Sequence, residues 1–366
     1  MSRRISSTPR LDGYRMPGEF EPHTGTWMLW PTRSDTWRLG AKPAQAAFAK
    51  VAAAIAEFEP VTIGAISDQY EHVRSMVPPQ VRVVEISSND AWMRDIGPTF
   101  VVNGSGGVRG VDWGFNAWGG LDGGLYFPWD QDLLVKRKVL EIENMDYYDL
   151  RHFILEGGAV HVDGEGTLIT TEQCLLHKNR NPHLSKRQIG GYLRDSLNVD
   201  KIIWLQRGMN DDETDGHIDE VAAFVKPGVV VVSWTDDRED PQYEVLHEAY
   251  SQLIRQKDAR GRRLEVHKLH IPDSLMITDE EAEWIDTASS SYSRIPGTTF
   301  AATYVNFYIC NGGVVMPAFG DRRDAEALNT LQRIFTGRKV VQVNTREIAL
   351  GGGNIHCITQ QQPRGW

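Results

Sequence analysis

Short runs of β-branched and apolar residues recur along this chain, separated by stretches whose apolar positions return every three or four residues. The first pattern predicts strands and the second helices. Residues 43–57, rich in alanine at helical spacing, precede strands at 61–66 and 81–86. Residues 99–102 and 108–113 then flank a glycine-rich turn, as in a hairpin. The order repeats. A helical pattern at 131–143 leads to strands at 159–162 and 167–170 around Asp163-Gly164-Glu165-Gly166. A strand at 202–205 leads to 221–225 and 229–234 around Lys226-Pro227-Gly228. A helix at 243–257 and a strand at 264–271 lead to 304–309 and 314–316. A helix at 322–335 and a strand at 339–343 end the series. That last unit lacks a second hairpin strand, which residues 26–30 can supply.

The count gives about five ββαβ units, and a circular arrangement would turn the hairpin openings toward one axis. A conventional α/β domain shows similar alternation. Polar residues recurring at the hairpin starts favour the ring. At 366 residues the chain can bury a large core as one domain or two. The ring reading makes it a single catalytic domain over 1–366, with 1–12 and 364–366 loosely held.

Composition narrows the class. With 41% hydrophobic and 24% charged residues the chain is neither disordered nor collagen-like. No apolar stretch approaches the roughly 18 residues of a membrane span, and the basic N-terminus has no apolar segment behind it to make a secretory signal. A net charge of −10 argues against nucleic acid and mildly favours a cationic ligand. Three widely spaced cysteines, Cys174, Cys310 and Cys357, exclude a disulfide framework and fit a reducing cytoplasm.

Candidate chemistry sits at the hairpin starts. Asp95, Glu156 and His217 recur at an even spacing of 61 residues, and Gly351-Gly352-Gly353 brings the backbone before Cys357 into a close approach. A cysteine reacts as its thiolate and needs an acid/base or cationic partner. Cys174 and Cys310 read instead as inert core thiols. His217 and Asp219, two apart, would share a face if they lie on a strand. A histidine beside carboxylates keeps its proton and can deliver it to a leaving amine. Glu156 would orient that imidazole as the third member of a triad. Paired acids such as Asp95 and Asp219 are natural receptors for a planar guanidinium. Asp95 could equally be a turn residue pairing with Arg94.

The motifs as a set carry a resemblance. The runs 89–99, Glu156-Gly157-Gly158, 212–219 and 351–363, with Trp234-Thr235-Asp236-Asp237 and 304–308, resemble the agmatine deiminase family. That family belongs to the guanidino-group-modifying superfamily, close to the bacterial-type peptidylarginine deiminases. The likeness spans residues 16–363. It implies an α/β fold, the five-bladed propeller of ββαβ repeats. It makes Cys357 the nucleophile, His217 the acid/base, Glu156 its support, and Asp95 and Asp219 the guanidinium receptors. Glu213 corresponds to a position at the substrate's distal end. Asp215 and Glu220 depart from the family, where asparagine is more usual. The resemblance implies hydrolysis of agmatine to N-carbamoylputrescine and ammonia through an S-alkylthiouronium on Cys357, in putrescine biosynthesis. It needs no metal or organic cofactor, and the family suggests a homodimer.

An arginine substrate would need a cationic site for its α-carboxylate, whereas agmatine ends in an ammonium that Glu213 or Asp215 could receive. Trp92, Trp113, Phe115 and Trp118 could wall its methylene chain, although at least two of the four should be packing residues. A metallohydrolase ranks lower, because no short ligand pair such as His-x-x-x-His occurs. A non-enzymatic binding propeller also ranks below the deiminase, because the polar set converges in one ring.

Overall fold

A computed structural model describes residues 2–287 and 293–365. The described strands form five sheets of three or four strands. Each sheet contains an antiparallel pair followed, across a helix, by a parallel strand. In the second unit Thr99–Val102 pairs antiparallel with Val108–Gly114, which pairs parallel with Tyr147–Ile154 after the helix Asp132–Ile142. The third joins His161–Val162, Thr167–Thr171 and Lys201–Leu205 around Lys186–Leu197. The fourth joins Ala222–Lys226, Val229–Trp234 and Glu265–His270 around Tyr243–Leu253. The fifth joins Tyr308–Cys310, Gly313–Ala318 and Lys339–Asn344 around Asp324–Ile334. The first unit spans the chain. Gln360–Pro363 pairs antiparallel with His23–Leu29, which pairs parallel with Val61–Ala65 after Lys42–Ile55. The strand expected from residues 26–30 thus completes the last hairpin.

The crossover helices form because each presents one apolar stripe to its sheet. In Lys42–Ile55 the buried Ala44, Ala47, Phe48, Val51, Ala52 and Ile55 make that stripe. Lys186–Leu197 was not legible in the periodicity, since Gly190-Gly191 weakens the pattern. A capping box between Ser185 and Gln188 starts it, buried Ile189, Leu193 and Leu197 hold it, and Asn198 in the left-handed region ends it.

Two expectations change. The strand expected at 304–309 is reduced to Tyr308–Cys310, because Asn306 turns its amide toward the C-terminal loop instead of continuing the ladder. His217 and Asp219 do not lie on a strand: His217 caps the 3-10 turn Ile218–Glu220. The N-terminal segment lies against the body of the chain. Arg4–Ile5 pairs with Tyr147 and Tyr148, and the Arg10 amide donates to the Asp195 carbonyl. The expectation for Met1 and Trp366 lies outside the described residues. Among the described residues no helix is long and apolar enough to cross a membrane.

Candidate active site

One polar residue precedes the first hairpin strand of every unit. Asp95 lies in the turn Met93–Ile96 and Glu156 caps Gly157–Ala159. His217 caps Ile218–Glu220, Asn306 precedes Tyr308–Cys310, and Cys357 precedes Gln360–Pro363. The fold brings these positions together. His217 Nδ1 lies 3.9 Å from Asp95 Oδ2 and 4.0 Å from Asp219 Oδ1, with Nε2 4.0 Å from Glu156 Oε2. The Cys357 Sγ is 3.6 Å from Asp219 Oδ2 and 3.9 Å from Glu220 Oε1. It accepts from Asn306 Nδ2 at 3.2 Å. Cys357, His217, Glu156, Asp95 and Asp219, all five of the catalytic residues expected from sequence, are buried in this cluster.

Glycine is required where the loops meet. A Cβ on Gly158 would stand 2.5 Å from His217 Nδ1, 2.9 Å from Asp219 Oδ2 and 3.2 Å from Asp95 Oδ1. On Gly353 it would stand 2.7 Å from the Trp92 ring and 3.0 Å from Cys357 Sγ. The glycine run therefore does bring the backbone close to its neighbours, although Cys357 itself is only 7% exposed.

Burial sets the electrostatics. It pushes the Cys357 thiol well above its ordinary value, and Asp219, Glu220 and Asp95 push it further. For His217 burial favours the neutral ring, but Asp95, Cys174 and Asp219 outweigh it and hold the imidazolium well above its usual range. Burial likewise raises Asp95, whose oxygens accept from the Gly158 amide at 2.8 Å and the Trp118 indole at 2.9 Å. Glu220 is raised well above normal by burial and by Asp219. Asp219 goes the other way. Burial opposes its ionisation, yet His356, His217 and Arg94 hold its carboxyl below the ordinary value.

Several partners were not nominated from sequence. Asn306 donates to Cys357 Sγ and to Glu220 Oε1, and accepts from the His356 amide. Its position before a hairpin strand was the available signal. Arg180 is fully buried with Nε 2.8 Å from Glu156 Oε1, and its other nitrogens reach Asp215 Oδ2 and the Thr214 and Trp118 carbonyls. Arg94 does not pair with Asp95; it reaches Glu19, Gln361 and the His356 carbonyl. Cys174 is buried as expected, but beside Glu156 and His217 rather than remote from them.

The residues expected at the substrate's far end divide. Trp92 and Trp118 line a small cavity with Asp90, Glu213 and Arg294, and the Trp92 indole is fixed by Asp90. Trp113 is not brought to the site. Its indole donates to Thr99 and its ring packs on Phe153 inside the core, since its strand turns that face inward. Phe115 packs edge-on against Trp118. Glu213 pairs with Arg294, which also donates to the Gly351 carbonyl. Asp215 serves Arg180, and Glu220 sits at the cysteine rather than the amine end. A wider cavity of about 900 Å³ opens beside them, bordered by the acids Asp122, Asp211, Asp212, Glu213 and Asp215.

Among the described residues, three sets of side chains place possible metal donors within 4.8 Å of one another: Glu19, His161 and His356; Glu156, Cys174 and His217; Asp219, Glu220 and Cys357. In the first and third, Glu19 and Asp219 are already hydrogen-bonded to His356.

Against this geometry the comparisons are decisive. The model of the Porphyromonas-type peptidyl-arginine deiminases matches residues 15–363. The chain belongs to that family. Within it, an agmatine deiminase of Pseudomonas aeruginosa (strain UCBPP-PA14) is 59% identical over 359 residues, covering 98% of each chain. One from Pseudomonas putida (strain KT2440) is 55% identical over 362 residues, covering 99% of this chain and 98% of that one. The solved agmatine deiminase of Enterococcus faecalis superposes with a TM-score of 0.97 at 50% identity, over 100% of both chains. The α/β fold with mixed sheets is the fold of these deiminases.

Proposed function

We propose that this protein is an agmatine deiminase, hydrolysing the guanidino group of agmatine to N-carbamoylputrescine and ammonia. The observation that carries the proposal is the buried juxtaposition of a cysteine, a cationic histidine and carboxylates, in a chain more than half identical to agmatine deiminases. The guanidinium would lie between Asp95 and Asp219, with Glu156 beside His217. The carboxylates that keep the Cys357 thiol protonated are the ones that receive the substrate's charge. A bound cation neutralises their field, so ionisation of the thiol becomes easier when there is something to attack.

The Cys357 sulfur then forms a bond to the guanidinium carbon. The C–N bond breaks as His217 protonates the departing nitrogen, and ammonia leaves an S-alkylthiouronium. The thiol's proton leaves with the ammonia, which departs as ammonium. His217, now neutral, takes a proton from water, the resulting hydroxide adds to the same carbon, and the C–S bond breaks. That releases the ureido product and the thiol. The protein's own residues supply every group in this scheme.

At the far end the acids around Glu213 suit an ammonium better than a carboxylate, which favours agmatine over arginine. Glu213 already carries Arg294, so an ammonium reaching it competes with that guanidinium. The same reading arranges the five units as a five-bladed propeller forming one domain, with the hairpin starts at its centre. It places the enzyme in putrescine biosynthesis, in a cytoplasm that keeps its three cysteines reduced and as a homodimer.

The test is a ureido-product assay on agmatine and arginine in parallel, with a chelator present. Turnover of agmatine, with arginine much poorer, is expected. Cys357→Ser should lower kcat by about a thousandfold or more while agmatine still binds. Near-normal turnover by that variant would remove the cysteine mechanism, and loss of wild-type activity to the chelator would favour a metallohydrolase.

A further inference from the structure

His356 precedes the nucleophile, yet the reaction above does not use it. Its ring is buried and hydrogen-bonded at both nitrogens: Nδ1 to Asp219 Oδ2 at 2.8 Å and Nε2 to Glu19 Oε2 at 2.9 Å. Glu19 is anchored in turn. Its Oε2 receives Arg94 Nη2 at 3.2 Å and its Oε1 the Ile309 amide at 2.8 Å. Arg94 is braced by Gln361 and the His356 carbonyl, and its amide donates to the Cys357 carbonyl. The His161 ring stacks on His356 at 5.9 Å between centroids. The other end of the chain is the informative one. Asp219 Oδ2 is occupied by His356, whereas the buried Oδ1 makes no hydrogen bond among the described residues and lies 4.0 Å from His217.

Accepting from His356 at Oδ2 fixes the plane of the Asp219 carboxylate and leaves Oδ1 as its free acceptor. A ring bonded to a carboxylate at each nitrogen donates at both, which requires the imidazolium. Its charge offsets that of Asp219 in a cluster that also holds Asp95, Glu156 and Glu220.

We propose that His356 is a positioning residue for guanidinium recognition: clamped between Glu19 and Asp219, it aims the free oxygen of Asp219 at the reaction centre. The proposal rests on the deiminase reading and acts through Asp219, not through contact with the substrate. The groups facing His356 are Glu19 and Asp219, which hold its proton, and Arg94 and His161, which oppose it. Loss of its charge leaves Asp219 easier to protonate, so binding of a cation fails at a higher pH.

The test is His356→Asn, which keeps a short donor toward Asp219 but loses the charge and the link to Glu19. Agmatine binding to the Cys357→Ser protein, with and without His356→Asn, should weaken by about tenfold or more, the range of one charge-assisted hydrogen bond. In the otherwise wild-type enzyme KM should rise more than kcat falls, and the acid limb of kcat/KM should move up by about one pH unit. Glu19→Gln should shift both in the same direction by less, and serves alone if the histidine variant fails to fold. Unchanged affinity and an unmoved acid limb overturn the proposal, whether or not the melting temperature falls. Wild-type turnover in the same assay separates this result from failure of the agmatine assignment.

Discussion

At the scale of single residues, a close steric constraint lies where Gly158 meets His217, Asp219 and Asp95. A methyl group there cannot be absorbed by a surface side chain, because all three neighbours are buried. Gly158→Ala should therefore cost about a hundredfold in kcat/KM through displacement of the histidine and carboxylates. Steady-state kinetics alongside a thermal melt would show the loss outrunning any change in stability. Much of the buried cluster was legible in the sequence. Cys357 announced itself by its glycine run, and Asp95, Glu156 and His217 by equal spacing. Asn306 was hidden because an insertion between units breaks the spacing, and an asparagine lacks an obvious catalytic signature. Arg180 and Glu19 were hidden for another reason: a charged residue far away in sequence looks like surface until the fold buries it against its partner. Trp113 was the opposite case, an aromatic close to a motif that belongs to the core.

At the scale of elements, Arg180 does more than sit beside Glu156. Through Asp215 and the Thr214 and Trp118 carbonyls it ties together three loops that border the site. Arg180→Met would break a buried pair and leave Glu156 to the more distant His217, 4.0 Å away, a kind of change that typically costs about 3–5 kcal/mol. Asp215→Asn should cost under about 1 kcal/mol, because Asp215 is partly exposed and screened. Urea midpoints of the two variants would separate these cases, and equal losses would deny Glu156 its dependence on Arg180. The hairpins were readable because glycine and alternation mark them, while Lys186–Leu197 was not, because its stability comes from its cap and its packing. Tyr147–Ile154 also escaped, since the polar Asp149 and the exposed Arg151 and His152 in its middle break the strand pattern.

At the scale of the whole molecule, buried acids make stability depend on pH in both directions. Glu19, Asp219 and Glu59 are buried but held below their ordinary values by cationic or hydrogen-bonding partners. Their contribution is complete above the unfolded carboxyl value of about 4 and is lost as pH falls through their depressed folded values. Asp132 behaves oppositely: burial raises it to about 7 despite hydrogen bonds from Tyr126 and the Asn89 amide. Between about pH 4 and 7 the folded protein therefore holds an extra proton there, and stability falls as pH rises, by up to about 1.4 kcal/mol per unit. Asp90, raised by burial to about 6, adds to the same slope. Asp132→Asn should flatten that decline in melting temperature between pH 4 and 7; an unchanged slope would locate the titration elsewhere. The five hairpin starts have a consequence for what one chain can assemble. They carry five different residues, Asp95, Glu156, His217, Asn306 and Cys357. An assembly of five identical copies would present one residue five times, and a nucleophile could never face an acid of another kind. A single chain escapes that restriction: each hairpin start carries its own residue, and a thiol, an imidazole and carboxylates meet in one buried cluster.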